Sequence, residues 1–148
     1  MPEQQNDGRA HRFIVTVEKE GKPTIKLGDE NDENITDIVV HLDTIDNNIR
    51  DKSGAMLARI IVKGDIKDPT NKKLADVFDW AKDFTKAGGY RKVTIDIKEE
   101  GTRMRTYRFE DVFVRDYTES FAESGGKNIF TLEMTQKENT LAKAITTV

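Results

Sequence analysis

Only two imidazoles, alongside a large supply of carboxylates, are available to this sequence for acid–base or nucleophilic chemistry. His11 lies in a polar N-terminal stretch, and His41 falls on the odd-numbered side of "DIVVHLD", opposite Val40 and Leu42. A histidine that activates a serine needs a placed hydroxyl and a carboxylate to orient it. Ser53, Ser120 and Ser124 sit in turn-like or strand-end settings without the strained elbow that exposes a nucleophile. His41 therefore reads as an exposed or half-buried strand residue. "DENDENITDIVV" sets Asp29, Asn31 and Glu33 at calcium-like spacing, but Asn34 and Val40 stand where such a loop needs its glycine and its bidentate glutamate. That segment reads as a solvated acidic turn. Adjacent carboxylates such as Glu99-Glu100 and Glu110-Asp111 arise by chance when 27 of 148 residues are acidic, so they do not mark an acid–base pair. Gly88-Gly89 and Gly125-Gly126 lack the strand–GxGxxG–helix setting that cradles phosphate, and read as turns. The chain has no cysteine, which excludes disulfides, thiolate metal sites and thiol nucleophiles. The expectation is a protein that is not an enzyme, with no catalytic residue, no metal and no cofactor.

Charge balance narrows the partners. Lysine and arginine total 24 against 27 acidic residues, so the net charge is −3 although 34% of the chain is charged. Nucleic-acid binding draws on a basic excess that releases counterions, and none is present overall. The longest apolar runs, such as Ile60-Ile61-Val62, are far too short to span a membrane as a helix. Residues 1–11 have no apolar stretch of the signal-peptide kind, so synthesis and assembly in the cytoplasm are expected. The length suits one domain that buries roughly 68–70% of its unfolded surface.

The elements that would position any site are mostly strands. Phe13, Val15 and Val17 alternate with polar neighbours, as do Ile25 and Leu27 after "EKEGKP", which predicts a hairpin turning at Gly-Lys-Pro. Ile38, Val40 and Leu42 mark another strand, Ile60, Val62 and Ile66 a fourth, Val93, Ile95 and Ile97 a fifth. Ile129, Phe130, Leu132 and Met134 close the set. One helix is predicted at about 71–87, with Asp68, Thr70 or Asn71 as N-cap, Leu74, Val77, Phe78, Ala81 and Phe84 as its apolar stripe, and Gly88-Gly89 ending it. Trp80, at the margin of that stripe, reads as half-buried core or as an anchor for a partner. Residues 43–56, "DTIDNNIRDKSGAM", keep no period and read as a long loop, of a length that is usually functional or disordered. The expected organisation is a disordered tail at 1–11, a single domain at 12–138 and a C-terminal tail at 139–148.

One strand breaks step. In "RTYRFEDVFVRDYTESF" the apolar residues Tyr107 and Phe109 are odd, Val112 and Val114 even, Tyr117 and Phe121 odd again. Successive side chains of a strand face opposite ways, so each parity change moves the buried set to the other face. Bulges at Glu110-Asp111 and Arg115-Asp116 in one bent strand would restore a common face, as at a barrel corner. Two strands joined by a turn at Glu110-Asp111 are the alternative. The fold class expected is mainly β: a small antiparallel β-barrel of two sheets with one flanking helix.

From residue 57 to 138 the ordered features resemble the haemolysin-coregulated proteins (Hcp) of type VI secretion and the contractile phage tail-tube proteins. The resemblance runs through "IIVKGDIKDPT", the helix "NKKLADVFDWAKDF", and the strand–turn–long strand "YRKVTIDIKEEGTRMRTYRFEDVFVRDYTESF". Within it Tyr107, Phe109, Asp111, Val112, Val114 and Tyr117 are similar to the family's core pattern, and "ESGGKNIFTLEMTQKE" to its closing strand. The opening hairpin and the acidic "TESFAESGG" depart from the secreted type VI members and point to a tube protein of a phage-tail-like particle or a divergent relative.

The resemblance implies a tail-tube/Hcp-like barrel that forms six-membered rings, with rings stacking into a hollow tube that is released as part of a particle. Its implied partners are itself, the sheath and baseplate or spike proteins, and cargo in the lumen. Residues 43–56 would be the arm reaching the next ring, with Asp46, Asn47, Asn48, Ile49, Arg50, Asp51 and Lys52 as contact candidates beside Trp80. A monomeric β-barrel binding a ligand or peptide in its mouth is the competing reading; a hydrolase is a third, for which the nucleophile and metal constellations are missing.

Overall fold

The computed structural model describes residues 11–29, 34–44, 56–85, 88–99, 102–137 and 144–148. Eight strands and one helix follow in the order β1 (His11–Glu18), β2 (Ile25–Leu27), β3 (Ile35–Thr44), β4 (Met56–Asp65), α1 (Asp68–Ala81), β5 (Arg91–Glu99), β6 (Thr102–Ser120), β7 (Ile129–Gln136) and β8 (Ile145–Thr147). The first hairpin forms as its alternation predicts, with Val15 opposite Leu27 and Val17 opposite Ile25. Its turn is made one step earlier than Gly-Lys-Pro. Lys22 donates its backbone N–H to Lys19 O at 3.0 Å, and Gly21 takes the positive φ of 82° that this position of the turn requires.

All ladders are antiparallel and join one sheet in the order β2-β1-β5-β6-β7-β4-β3, with β8 added to β6. Val15 and Leu27 near one end of that path share a core with Ile35, Ile60 and Val62 near the other, and with Val93, Ile95, Leu132 and Met134 between. A sheet whose two ends line the same core must curl, which is the twist of antiparallel strands carried most of the way round. Among the described residues no ladder joins β3 to β2 or to β8, so the expected barrel is a curled sheet with an open seam. Where the path from β2 to β3 crosses the rest, two glycines permit close approach. A Cβ on Gly28 would lie 2.0 Å from Phe13 O, and one on Gly64 2.3 Å from Asn34 O.

The helix differs from its predicted span and phase. It runs from Asp68 to Ala81 and begins at Lys67, whose carbonyl accepts from Thr70 and Asn71 N–H at 2.9 and 3.0 Å without a side-chain cap. Asp68, Thr70 and Asn71 are thus inside it, with Pro69 in the first turn, where a missing N–H costs nothing. Thr70, Leu74, Val77 and Trp80 face the core, whereas Phe78 is 53% exposed and Phe84, beyond the helix, 97%. The stop is local chemistry. Asp83 Oδ1 accepts from the N–H and hydroxyl of Thr85 at 3.0 and 2.6 Å, turning the chain before the stripe can reach Phe84. Those bonds hold the Asp83 carboxyl below the usual carboxylate range.

Candidate assembly surface

The long strand carries the geometry. β6 is continuous over nineteen residues, and its two parity breaks are the bulges that the apolar pattern predicts. Phe109 pairs with Val93 and Val112 with Arg91, so β6 spends one more residue than β5 between them. Val114 then pairs with Met134 and Asp116 with Glu133, a second extra residue at Arg115. At the first bulge Asp111 takes φ 53°, a left-handed conformation that aspartate tolerates better than most residues. Gln136 Nε2 donates to Glu110 O at 3.2 Å and Lys137 N–H to Asp111 O at 2.7 Å, so β7 pins the bend from the other side. Phe109 and Val112 consequently share the core, three residues apart in sequence. The alternative of two strands and a turn is excluded.

The bend assigns each half of β6 a different neighbour. Its first half, as far as Val112, lies beside β5 on one edge, with β8 on the other at Thr106, Tyr107 and Arg108. Its second half lies beside β7 and receives α1, so that Phe78 and Ala81 face Val114 and Tyr117 across a cleft of about 230 Å³. Burial raises the Tyr117 phenol well above its usual range, with its hydrogen bond to Glu119 adding to the shift; it remains a donor at neutral pH. On the face turned away from the core, Glu133 of β7 lies 3.5 Å from both Arg59 of β4 and Arg115 of β6, tying three adjacent strands together.

A second cleft opens at the seam. Val40 and Leu42 of β3 form one wall, Ala144 and Ile145 the other, and Tyr107 and Phe109 the floor, enclosing about 380 Å³. Leu42 and Ile145 are 54% and 52% exposed at its rim. The C-terminal stretch expected to be a tail thus contributes a strand and a wall. Only the β-branched "ITT" hinted at it, three residues being too short for a period to register. A third cleft, of about 690 Å³, is bordered by Glu18, Glu20, Tyr90, Lys92, Glu110 and Asp111, charges of both signs with no convergent donor set.

Of the residues expected to make contacts between copies, Asp46, Asn47, Asn48, Ile49, Arg50, Asp51 and Lys52 lie outside the described residues. Trp80 is placed in the core, 1% exposed, with its indole N–H donating to Gly89 O at 2.9 Å and the Arg91 guanidinium 5.4 Å from its ring. Burial lowers the Arg91 pKa, and its Nε donates to Gly88 O at 3.0 Å. Of the residues weighed for chemistry, Asn31, Glu33, Ser53 and Glu100 lie outside the described residues, and the described ones are not brought together. His41, Ser120 and Ser124 are separately exposed, and Asp29 accepts from Lys73 Nζ at 3.1 Å. Asn34 is buried and donates to Asp65 O at 3.2 Å. Among the described residues no three His, Asp or Glu side chains group as metal ligands.

No family model matches the chain, and no curated protein matches it in sequence. Solved structures do match in fold. An Hcp protein superposes over 91% of this chain and 97% of its own, with TM-score 0.56 and 8% identity. A chain of the PVC sheath/tube terminator, from an extracellular contractile injection system in its extended state, matches over 97% of this chain and 99% of its own, with TM-score 0.53 and 16% identity. Hcp1 from Salmonella typhimurium matches over 83% and 81%, with TM-score 0.53 and 11% identity. At such identities the likeness is one of backbone path, and on that path the chain has the fold of the Hcp proteins and of contractile-injection-system tube components.

Proposed function

We propose that this protein is a structural tube subunit of a contractile injection system or phage-tail-like particle. Identical copies form six-membered rings, and the rings stack into a hollow inner tube enclosed by sheath and joined to baseplate or spike proteins, with the lumen free for cargo. Assembly is the activity, and no reaction is assigned. Copies are made and assembled in the cytoplasm and leave it with the particle. The observation that carries the reading is that the likeness to a sheath/tube terminator chain spans 97% of this chain and 99% of that one, so the whole fold corresponds rather than a shared fragment. The physical basis agrees. A head-to-tail interface closes into a ring when its rotation closes, and a second such interface propagates rings into a tube. Among the described residues β3 has a ladder partner on one side only, the kind of edge that strand addition between copies would use. Residues 46–52 and the rest of the 43–56 loop are the contact candidates between copies.

Sedimentation velocity across a concentration series, followed by negative-stain microscopy of the heaviest fraction, tests this. Rings and short stacks are the expected result; a strictly monomeric species at every concentration rejects it. The seam groove of about 380 Å³ favours one other reading, a monomeric barrel that binds a ligand or peptide. The same experiment decides between them.

A further inference from the structure

β8 stands on the same edge of β6 as β7, further along it. Val112 pairs with Gln136 at the end of β7, and Arg108 with Ile145 at the start of β8. Between these pairs three residues of β6, 109–111, face eight of the returning chain, 137–144, so five are surplus to the ladder. β8 can therefore leave β6 without pulling on β7, whose end is held separately by Lys137 N–H donating to Asp111 O at 2.7 Å. We propose that β8 is a releasable cap: it blocks the first half of β6 within its own chain, and its detachment opens that edge to a strand of another copy. The inference stands apart from the tube reading, because it concerns the edge that copies gain and not the shape they build.

The pairing shows what the cap hides. β5 covers one edge of β6 from Thr102 to Val112, but on the other edge the ladder with β7 begins only at Val112. Among the described residues, β8 is the one ladder partner of residues 102–110 on that side, at Thr106, Tyr107 and Arg108. Without it nine residues of β6, about 30 Å of strand, present unpaired N–H and C=O groups. Ala144 and Ile145 also wall the seam groove, so their departure uncovers Tyr107 and Phe109 beside Val40 and Leu42. An open edge over an apolar floor is what strand addition uses, and in a solution of this protein the strand at hand belongs to another copy. A three-residue strand in its place leaves an outer edge too short to template pairing.

The hold is light enough to release. β8 makes three register pairs, and Ile145, Thr146 and Thr147 are all exposed, with Ala144 supplying the contact to the core. β7 by contrast buries Phe130, Leu132 and Met134. Strands with few buried contacts open locally at a small fraction of the global unfolding free energy.

Removing and locking β8 test this. A chain ended at Ala144 keeps the core contact and is expected to self-associate at about tenfold lower concentration, the gain for a cap that is open about a tenth of the time. Arg108 and Ile145 are paired and exposed, and the chain has no cysteine of its own. Arg108→Cys with Ile145→Cys is expected to lose self-association on oxidation and regain it on reduction, neither single variant showing the loss. Amides of β8 are expected to exchange roughly a hundredfold faster than those of residues 131–135 in β7. A truncated chain no more associated than its parent overturns the inference. So does a locked chain that associates like the reduced one, or equal protection of β8 and β7. Stronger association without rings keeps the cap and rejects the tube reading, whereas rings from locked and reduced chains alike do the reverse.

Discussion

Trp80 and Asp111 show how single residues hold this fold in shape. The indole of Trp80 fills the space between α1 and the Gly88–Gly89 turn, and its N–H is the donor for Gly89 O. Trp80→Phe keeps most of the volume and leaves that carbonyl without its donor, so urea unfolding is expected to lose roughly 1–3 kcal/mol. Trp80→Ala, which adds a cavity, is expected to cost roughly 3–5 kcal/mol. Asp111 sits at φ 53°. The left-handed conformation costs an L-residue roughly 1–2 kcal/mol, and glycine gives back roughly 0.5–1 kcal/mol of that in chain entropy. Asp111→Gly is therefore expected to range from neutral to about 1 kcal/mol stabilising, whereas Asp111→Val, β-branched at positive φ, is expected to lose about 2 kcal/mol. A valine variant as stable as the parent would mean that the bulge does not need this conformation. Neither parity nor composition nor the two-versus-one pairing with β5 points to Asp111 rather than Glu110 as the strained residue; the positive φ does.

The helix and the bent strand set the shape of the elements. α1 stops at Ala81 where Asp83 captures Thr85, and the ionised carboxylate accepts these bonds more strongly than the neutral acid would. A carboxyl whose pKa is lowered on folding stabilises the fold above its unfolded value and loses that contribution as pH falls through the folded one. The turn after α1 is thus expected to hold at neutral pH and to loosen only below the ordinary value of 3.8, seen as an amide shift of Thr85 in an NMR titration. A Thr85 shift centred above that value would detach the helix stop from Asp83. The predicted helix was too long because Phe78 and Phe84 extend an apolar spacing that the core does not use. Periodicity counts apolar residues at helical intervals, but burial also depends on where the backbone turns. For β6 the pattern was informative, because two parity changes in a single apolar series can share one core only through bulges.

At the scale of the whole molecule, the described residues leave a seam in the curled sheet, and the proposed assembly would draw on it. Its edges are strands β3 and β8, and its apolar rim is exposed in the isolated chain. Deleting Asn47–Ser53 removes none of the observed core and is expected to leave the monomer's unfolding midpoint in place while assembly is lost. If the segment joins ring to ring, sedimentation of that deletion should show single rings that do not stack. Unchanged tubes would remove residues 47–53 from assembly altogether. The strands β1 to β7, the first hairpin and two bends of β6 were legible in the residues, because alternation, turn residues and parity are local and each registers within a few residues. The sheet order, the face that α1 turns inward, the burial of Trp80 and the place of β8 emerged with the folded chain. Those depend on contacts between residues far apart in the chain, where a three-residue strand or a rotated helix leaves no period to read.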